Sequence, residues 1–343
     1  MTSLLNFDIA ELSEILKLLG EPSFRAKQIF KWLHSGADFS EMTNIPKTVI
    51  AKLQEDYVAL GIEILQKLVS KDGTVKYLYK LQDGNIVEGV LMQYKYGNTL
   101  CVSTQAGCRM NCTFCASGID GLIRNLTPSE ILGQVVVANR DNGGDLKQRA
   151  VTNVVLMGSG EPLDNYDNVA KFLGLINNEN GLNISERNIS LSTSGLADKI
   201  YKLADDGFHI TLTISLHAPN DEIRSSLMPV NKKFSISELL RACRYYFEKT
   251  GRRYIFEYAL IDGKNDSLDN ARELAVLLRG LPCHINLIRL NYVKEKGLKA
   301  SDNAVDFLEV LLNQNLSATI RRTMGSDIEG ACGQLRRRYI QND

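Results

Sequence analysis

Three cysteines within eight residues, Cys108-Arg-Met-Asn-Cys112-Thr-Phe-Cys115, carry the most obvious chemistry in the chain. A cubane iron–sulfur cluster usually has four cysteine ligands, so a CxxxCxxC triplet would leave one iron with an open position. An open metal position marks a catalytic centre more often than a structural one. Two plainer readings fit the same residues: a structural zinc site, which needs a fourth ligand, and three buried free thiols. The four histidines (His34, His209, His217 and His284) are all distant in sequence from the triplet. The chain has seven cysteines, an odd number, and the clustering of three favours metal binding or catalysis over a disulfide framework. Of the other four, Cys332 stands between Ala331 and Gly333, which alone reads as a small buried residue. Cys101 precedes the triplet by seven residues on an expected strand. Cys243 and Cys283 match no motif and read as core. Glu88, in Ile86-Val87-Glu88-Gly89-Val90, is a polar residue in an apolar strand, a pattern that more often faces solvent than a reaction.

The surrounding elements decide where such residues can meet. Apolar residues at helical spacing predict three helices: Asp8 to Leu19, Ser23 to His34 and about Pro46 to Tyr57. From Ile62 to Ser103 the period changes to that of short strands, with Asp83-Gly84 as a hairpin signal. Beyond Asn98, strands and helices alternate. Expected strands are Leu100–Ser103, Val151–Met157, Asn188–Ser192, His209–Ser215, Tyr254–Leu260, His284–Leu290 and Ala318–Arg322. Thr127-Pro128-Ser129-Glu130 reads as a capping box with proline at the first helical position. Repeated β–α units imply an α/β fold with a parallel sheet and helices outside it, and six or seven units suit a partial (β/α) barrel. The expected organisation is a helical accessory domain over 1–60, a β-rich connecting segment over 61–97 and the partial barrel over 98–343. In a barrel, the triplet would follow the C-terminal end of the first strand, where chemistry is placed.

Bulk properties narrow the class. Lys+Arg and Asp+Glu balance at 40 each, which argues against a passive, charge-driven nucleic-acid binder but not against a local basic patch. Arg321-Arg322 and Arg336-Arg337-Arg338 bracket Cys332 and read as such a basic rim. The N-terminus has no signal-peptide pattern, and no stretch approaches the ~20 apolar residues of a membrane span. The expectation is a cytoplasmic protein, without membrane association and monomeric.

CxxxCxxC with an aromatic, Phe114, before its last cysteine resembles the radical S-adenosylmethionine (SAM) signature. The resemblance implies a [4Fe–4S] cluster on Cys108, Cys112 and Cys115 whose open iron binds SAM, and one-electron cleavage of SAM to methionine and a 5′-deoxyadenosyl radical. Met157-Gly-Ser-Gly160-Glu161-Pro162 is similar to the GEP motif, implying that Gly160 and Glu161 hold SAM's amino group. Ser192-Thr-Ser-Gly195, Ser215-Leu216-His217 and Asn286 to Asn291 resemble SAM-contacting strand ends. Gly325 to Leu335, with Cys332, and Glu21-Pro-Ser-Phe-Arg-Ala-Lys-Gln-Ile29 resemble segments of the radical SAM adenine-C2 RNA methyltransferases, the RlmN/Cfr family. That family methylates adenosine 2503 of 23S rRNA and adenosine 37 of tRNA.

For this chain, the resemblance implies Cys332 as methyl carrier, Cys101 as the resolving thiol that closes a Cys101–Cys332 disulfide, and Glu88 as acid–base residue. It further implies two SAM per methyl, an electron donor such as flavodoxin or ferredoxin, and 23S rRNA and tRNA as partners. Two alternatives remain at this point. One is the C8-methylating relative that confers antibiotic resistance. Glu161-Pro162-Leu163 resembles the C2 enzymes, whereas Arg289 stands where those enzymes usually carry proline, and Ser159 departs from the common Met or Ile. The other is a non-enzymatic RNA-binding protein with a structural zinc.

Overall fold

The structure is a computed structural model, and residues 1–335 are described. Arg336, Arg337 and Arg338, part of the expected basic rim, lie outside the described residues.

The N-terminal segment forms β1 (Thr2–Ser3), α1 (Ile9–Leu18), α2 (Arg25–His34), α3 (Lys47–Asp56) and β2 (Tyr57–Val58). Asp8 caps α1 through a capping box with Glu11, which is why the helix starts one residue after the expected boundary. The apolar stripes of these helices, including Leu12, Leu16, Phe30, Leu33, Val49 and Leu53, are buried in one core with the sheet that follows.

Four strands then run antiparallel: β3 (Ile62–Val69), β4 (Val75–Leu81), β5 (Ile86–Tyr94) and β6 (Gly97–Cys101). The turn between β4 and β5 contains Gly84 at φ +82°, a left-handed position that favours glycine. The short strands β7 (Gln105–Gly107) and β8 (Leu122–Asn125) pair around the cysteine triplet. Next comes α4 (Pro128–Asp141), opened by the Thr127–Glu130 capping box with Pro128 at its start.

The remainder alternates: β9 (Asn153–Leu156), α5 (Tyr166–Asn177), β10 (Ile189–Thr193), α6 (Ala197–Asp205), β11 (Thr211–Ser215), α7 (Asp221–Leu227), α8 (Ile236–Thr250), β12 (Tyr254–Leu260), α9 (Leu268–Leu278), β13 (Cys283–Arg289), α10 (Ala304–Asn313) and β14 (Ala318–Ile320). The ten-stranded sheet runs β14-β13-β12-β11-β10-β9-β6-β5-β4-β3. From β6 to β14 every neighbouring pair is parallel. These are the seven strands expected from sequence, each within a few residues of its observed limits. Residues 62–94 do more than connect, because β5 pairs with β6 and carries the antiparallel strands into the same sheet.

Side-chain alternation sorts this sheet into two faces. Ile189 and Leu191 of β10, Leu212 and Ile214 of β11, and Ile285 and Leu287 of β13 join the main core. The residues between them, Ser190, Ser192, Thr213, Ser215 and Asn286, line cavities on the inner face. The helices thus cover an apolar outer surface while the barrel interior is polar. Within that interior, position along a strand sets the end at which a residue lies. Asn153, Ser190 and Thr319 sit at the N-terminal end, and Met157, Ser192 and Ser215 at the C-terminal end.

Candidate active site

At the C-terminal ends of the strands, Cys108, Cys112 and Cys115 line one cavity together with Gly160, Glu161, Ser192, Ser215, His217, Glu257, Asn291 and Cys332. The cysteine loop is fixed by its backbone. Cys108 N–H donates to Gly121 O (3.0 Å), Thr113 N–H to Leu227 O (3.0 Å) and Ala116 N–H to Gly333 O (2.8 Å). Gly107, at φ +76°, lies so close to Gly121 that an added Cβ would stand 2.0 Å from its carbonyl oxygen.

Burial pushes the Cys108 thiol up to about 12 and raises Cys112 further in the same direction. Such thiols are protonated at neutral pH, so they become ligands only by yielding protons to a bound metal. Among the described residues, no group of three or more His, Cys, Asp or Glu side chains converges to hold a single ion. Three thiols spread around one cavity fit a polynuclear cluster, whose own irons separate its ligands.

The second half of the cavity comes from three neighbouring strands. Gly160, at φ +107°, packs on Gln105, leaving no room for a side chain. Glu161 is fully buried, and its carboxylate accepts from Ser194 N–H (2.6 Å) and Leu163 N–H (3.1 Å), tying the ends of β9 and β10 together. Burial raises its pKa, and these N–H groups oppose the rise. His217 has φ 55°, and its Nδ1 accepts from Ala259 N–H (2.8 Å), so the neutral ring carries its proton on Nε2. Its ring packs edge-on against Phe114 at 4.8 Å. Asn291 donates from Nδ2 to the Cys332 carbonyl (3.0 Å). Leu216 is the exception among the expected residues, because its side chain is buried in the main core and does not line the cavity.

A smaller cavity abuts the first and is lined by Val90, Met92, Cys101, Met157, Arg321 and Cys332, among others. Cys332 thus lies on the seam between the two. Cys101 and Cys332 are both free thiols in this structure. Burial raises both, Cys101 to about 12, while the Arg321 guanidinium acts in the opposite direction on each. Arg321 is not on a rim, as expected from sequence. It reaches inward and donates to Glu257 (2.8 Å), because residue 321 continues the inner-facing parity of β14.

Three independent likenesses bear on this arrangement. Residues 102–275 match the model of the radical SAM superfamily, and residues 2–58 match the ribosomal RNA large subunit methyltransferase N-terminal domain. A probable dual-specificity RNA methyltransferase RlmN from Clostridium novyi is 52% identical over the full length of both chains. Its counterpart from Clostridium tetani is 50% identical, covering 100% of this chain and 98% of that one. A crystal structure of a radical SAM methyltransferase from Sphaerobacter thermophilus superposes with a TM-score of 0.94 at 44% identity, covering 98% of this chain and 99% of that one.

The chain belongs to the radical SAM dual-specificity RNA methyltransferase family. With that membership come a methyltransferase activity and, as the superfamily implies, a [4Fe–4S] cluster and SAM.

The surroundings of several residues near the site differ from what their local sequence pattern suggests. Glu88 does not face solvent: it is 4% exposed and pairs with the equally buried Lys76 (2.8 Å). It shares its face of β5 with Val90 and Met92 of the thiol cavity, and itself lines a separate small cavity that meets the cluster cavity at Ser117. Lys76 also donates to Glu329 O (3.3 Å), in the segment leading to Cys332. Arg224 is completely buried and donates to the carbonyls of Ser194, Ser215 and Leu216, bracing two strand ends. Nothing in Asp221-Glu222-Ile223-Arg224 announces this role. Ser159, the departure from the family pattern, uses its backbone, its N–H donating to Ser103 Oγ (2.9 Å) and its carbonyl accepting from Thr104 N–H (2.9 Å). Its hydroxyl adds a long bond to Gly107 O (3.5 Å), beside the cysteine loop.

Proposed function

We propose that the protein methylates C2 of adenosine 2503 in 23S rRNA and of adenosine 37 in tRNA, with Cys332 as methyl carrier, consuming two SAM per methyl. The observation that carries this reading is the place of Cys332 on the seam between the cavity of the cysteine triplet and the cavity of Cys101.

In this reading Cys332 is the nucleophile: as a thiolate it would take up the methyl group that bound SAM supplies from its sulfonium, and would carry it as S-methylcysteine. Arg321, beside both thiols, opposes burial and favours the anion. Gly160, Glu161, Ser192, Ser215, His217 and Asn291 would hold SAM, with Leu216 contributing only backbone. When bound, cluster and SAM supply the one-electron chemistry that activates the carried methyl toward C2 of adenine. Glu88 takes the C2 proton, since a buried carboxylate beside the thiol cavity can serve as general base. Cys101, as a thiolate, then attacks the Cys332 sulfur. The S–S bond forms as the sulfur–methylene bond breaks, the electron pair of that bond goes to the methylene carbon conjugated with the adenine, and proton uptake there gives the methyl group and frees the RNA. The protein would work as a cytoplasmic monomer reduced by a flavodoxin or ferredoxin. No helix among the described residues is long and apolar enough to cross a membrane.

The test is nucleoside mass spectrometry of a 23S rRNA fragment and a tRNA anticodon stem-loop treated with reduced, cluster-loaded protein. The expected product is 2-methyladenosine from both RNAs, and predominant 8-methyladenosine overturns the assignment. In parallel, Cys101→Ala protein should accumulate an RNA adduct that survives denaturation, and normal turnover by that variant removes Cys101 from its role.

A further inference from the structure

The inner face of the barrel holds a third cavity that the chemistry above does not use. Its volume is about 420 Å³, within the range of ligand-binding pockets. It opens at the N-terminal ends of the strands, opposite the cysteine triplet, where Asn153, Ser190 and Thr319 lie. Thr213 Oγ1 lines it, is buried and has no hydrogen-bond partner. Its upper wall is shared with the thiol cavity through Met92, Tyr94, Met157, Arg321 and Arg322. A flat group entering from this mouth would thus travel toward Cys332.

The rim of the mouth is unusual in two respects. The β5–β6 hairpin turns tightly, with Tyr94 paired to Gly97, and places Lys95 and Tyr96 in the two-residue turn. Such turns favour Gly, Asn and Asp. Here a tyrosine that is 74% exposed stacks on Tyr94 with ring centroids 5.0 Å apart and planes within 8°. Among the described residues, Tyr94 is the one ring stacked against Tyr96. Arg187 lines the mouth, while Arg322, beyond the C-terminal end of β14, lines both this cavity and the thiol cavity; both are exposed, and neither pairs with a carboxylate among the described residues. The carboxylate of the lumen, Glu257, is already engaged by Arg321. An aromatic face beside two uncompensated guanidinium groups suits an unpaired nucleotide, with a base for the ring and phosphates for the arginines.

We propose that the RNA strand enters the barrel through this N-terminal mouth, and that Tyr96 stacks a base flanking the target adenine while Arg187 and Arg322 hold the adjoining phosphates. The proposal rests on the RNA methyltransferase reading given above and adds to it the route and the anchoring residues. The target base passes Tyr94 and Met157 on its way to Cys332. The neighbouring base stays outside on the tyrosine platform. Stacking is tolerant of sequence, which suits an enzyme with two RNA substrates.

The experiment uses the full-length, cluster-loaded protein and a fluorescent tRNA anticodon stem-loop. Tyr96→Ala should weaken RNA binding roughly 5- to 150-fold, the range for loss of one base–aromatic stack. Tyr96→Phe, which keeps the ring, should bind within about twofold of wild type. Arg187→Gln and Arg322→Gln should each reduce the slope of log affinity against log salt by about 1. Methyl loading of Cys332, which needs no RNA, serves as the control for folding. RNA binding and methylation by Tyr96→Ala equal to wild type overturn this proposal alone. So does an equal loss in Tyr96→Ala and Tyr96→Phe, because then the ring face is not what matters. Wild-type protein that neither binds nor methylates either RNA overturns the RNA reading as well.

Discussion

The cysteine triplet and Cys332 reach the same cavity by different means. Cys108 to Cys115 sit in a loop framed by β7 and β8 and fastened through its own backbone to Gly121, Leu227 and Gly333. Cys332 lies on a segment without regular structure after a short turn at 326–328, and side chains of the β3–β4 hairpin hold that segment. Asp72 accepts from Gly325 N–H (3.0 Å), Ser70 donates to Asp327 (2.6 Å), and Lys71 N–H donates to Asp327 (3.2 Å). Lys76 and Asn291 add bonds to the carbonyls of Glu329 and Cys332. Backbone-fastened ligands keep a cluster in place. The Cys332 segment is clasped by these side chains and tied to the cysteine loop by the Ala116–Gly333 bond, and the carrier role proposed for Cys332 would require it to shift by small distances between cofactor and base.

The largest effects should separate these two regions outright. Replacing Cys108, Cys112 or Cys115 by Ala should abolish SAM cleavage, with iron content falling from the about four per chain of a cubane. Cys332→Ala should leave iron content and SAM cleavage intact while eliminating the protein-bound methyl, read by intact-protein mass spectrometry. If Cys332→Ala loses iron, or still carries a methyl, the division between a fixed cluster loop and a carrier arm fails.

The clasp gives an intermediate effect. Asp72 is held well below the usual carboxylate range. Burial alone would raise it, but hydrogen bonds from Gly325, Thr74 and Ser70 outweigh burial. Asp72→Ala should slow methyl loading of Cys332 by roughly tenfold, since a hydrogen bond to a charged group contributes about 1.5–3 kcal/mol and part of that is regained from water. Iron content and SAM affinity should stay at wild-type values. Loss of iron in this variant would mean that the two regions are held as one unit.

What could be read in advance follows the same division. Strand positions, the Thr127 capping box and the cysteine loop depend on local period and spacing, which a single sequence carries. The clasp joins Asp72 to Gly325 across the whole barrel, and no pattern within either segment marks it. Glu88 looked solvent-facing because its partner Lys76 is on the neighbouring strand, visible only once β4 and β5 are in register. Arg321 looked like a rim charge because parity along a short strand was not known. Arg224 sits in an ordinary amphipathic stretch, and only the meeting of β10 and β11 gives its guanidinium three carbonyls to bond.

A smaller effect tests whether acid sensitivity belongs to either region. His34 lies far from both, stacked on Phe30 at 4.0 Å, with Nδ1 accepting from Leu182 N–H (3.4 Å). Burial pulls its pKa down to about 3, and an unfolded histidine titrates near 6.5. The folded state therefore refuses a proton that the unfolded chain accepts below pH 6.5. Its contribution to stability is fully present above 6.5 and declines toward pH 3, by up to ~1.4 kcal/mol per pH unit. His34→Gln should flatten the fall of Tm between pH 6.5 and pH 5. An unchanged slope would assign that fall to other groups, His217 at the cavity being the first to examine, since burial lowers it to about 3 as well.

The smallest expected effect concerns Arg289, the residue that departs from the C2 pattern. It closes β13 opposite Leu260, is exposed, and contributes to neither the cofactor cavity nor the thiol cavity, although Ile288 and Asn291 line both. Choice between C2 and C8 requires a group that touches or orients the base, because a misplacement of about 1 Å can change rates ~100-fold. Arg289 points away from both places where such control could be exerted. Pro162, by contrast, is buried at the start of the turn that follows Glu161 and fixes the backbone entering it. Arg289→Pro should therefore give only 2-methyladenosine, at a rate within about twofold of wild type, in the nucleoside assay. Appearance of 8-methyladenosine in either the wild type or the variant would show that the end of β13 steers the base, and would move regiochemical control from the Glu161–Pro162 turn to the strand that leads into Asn291.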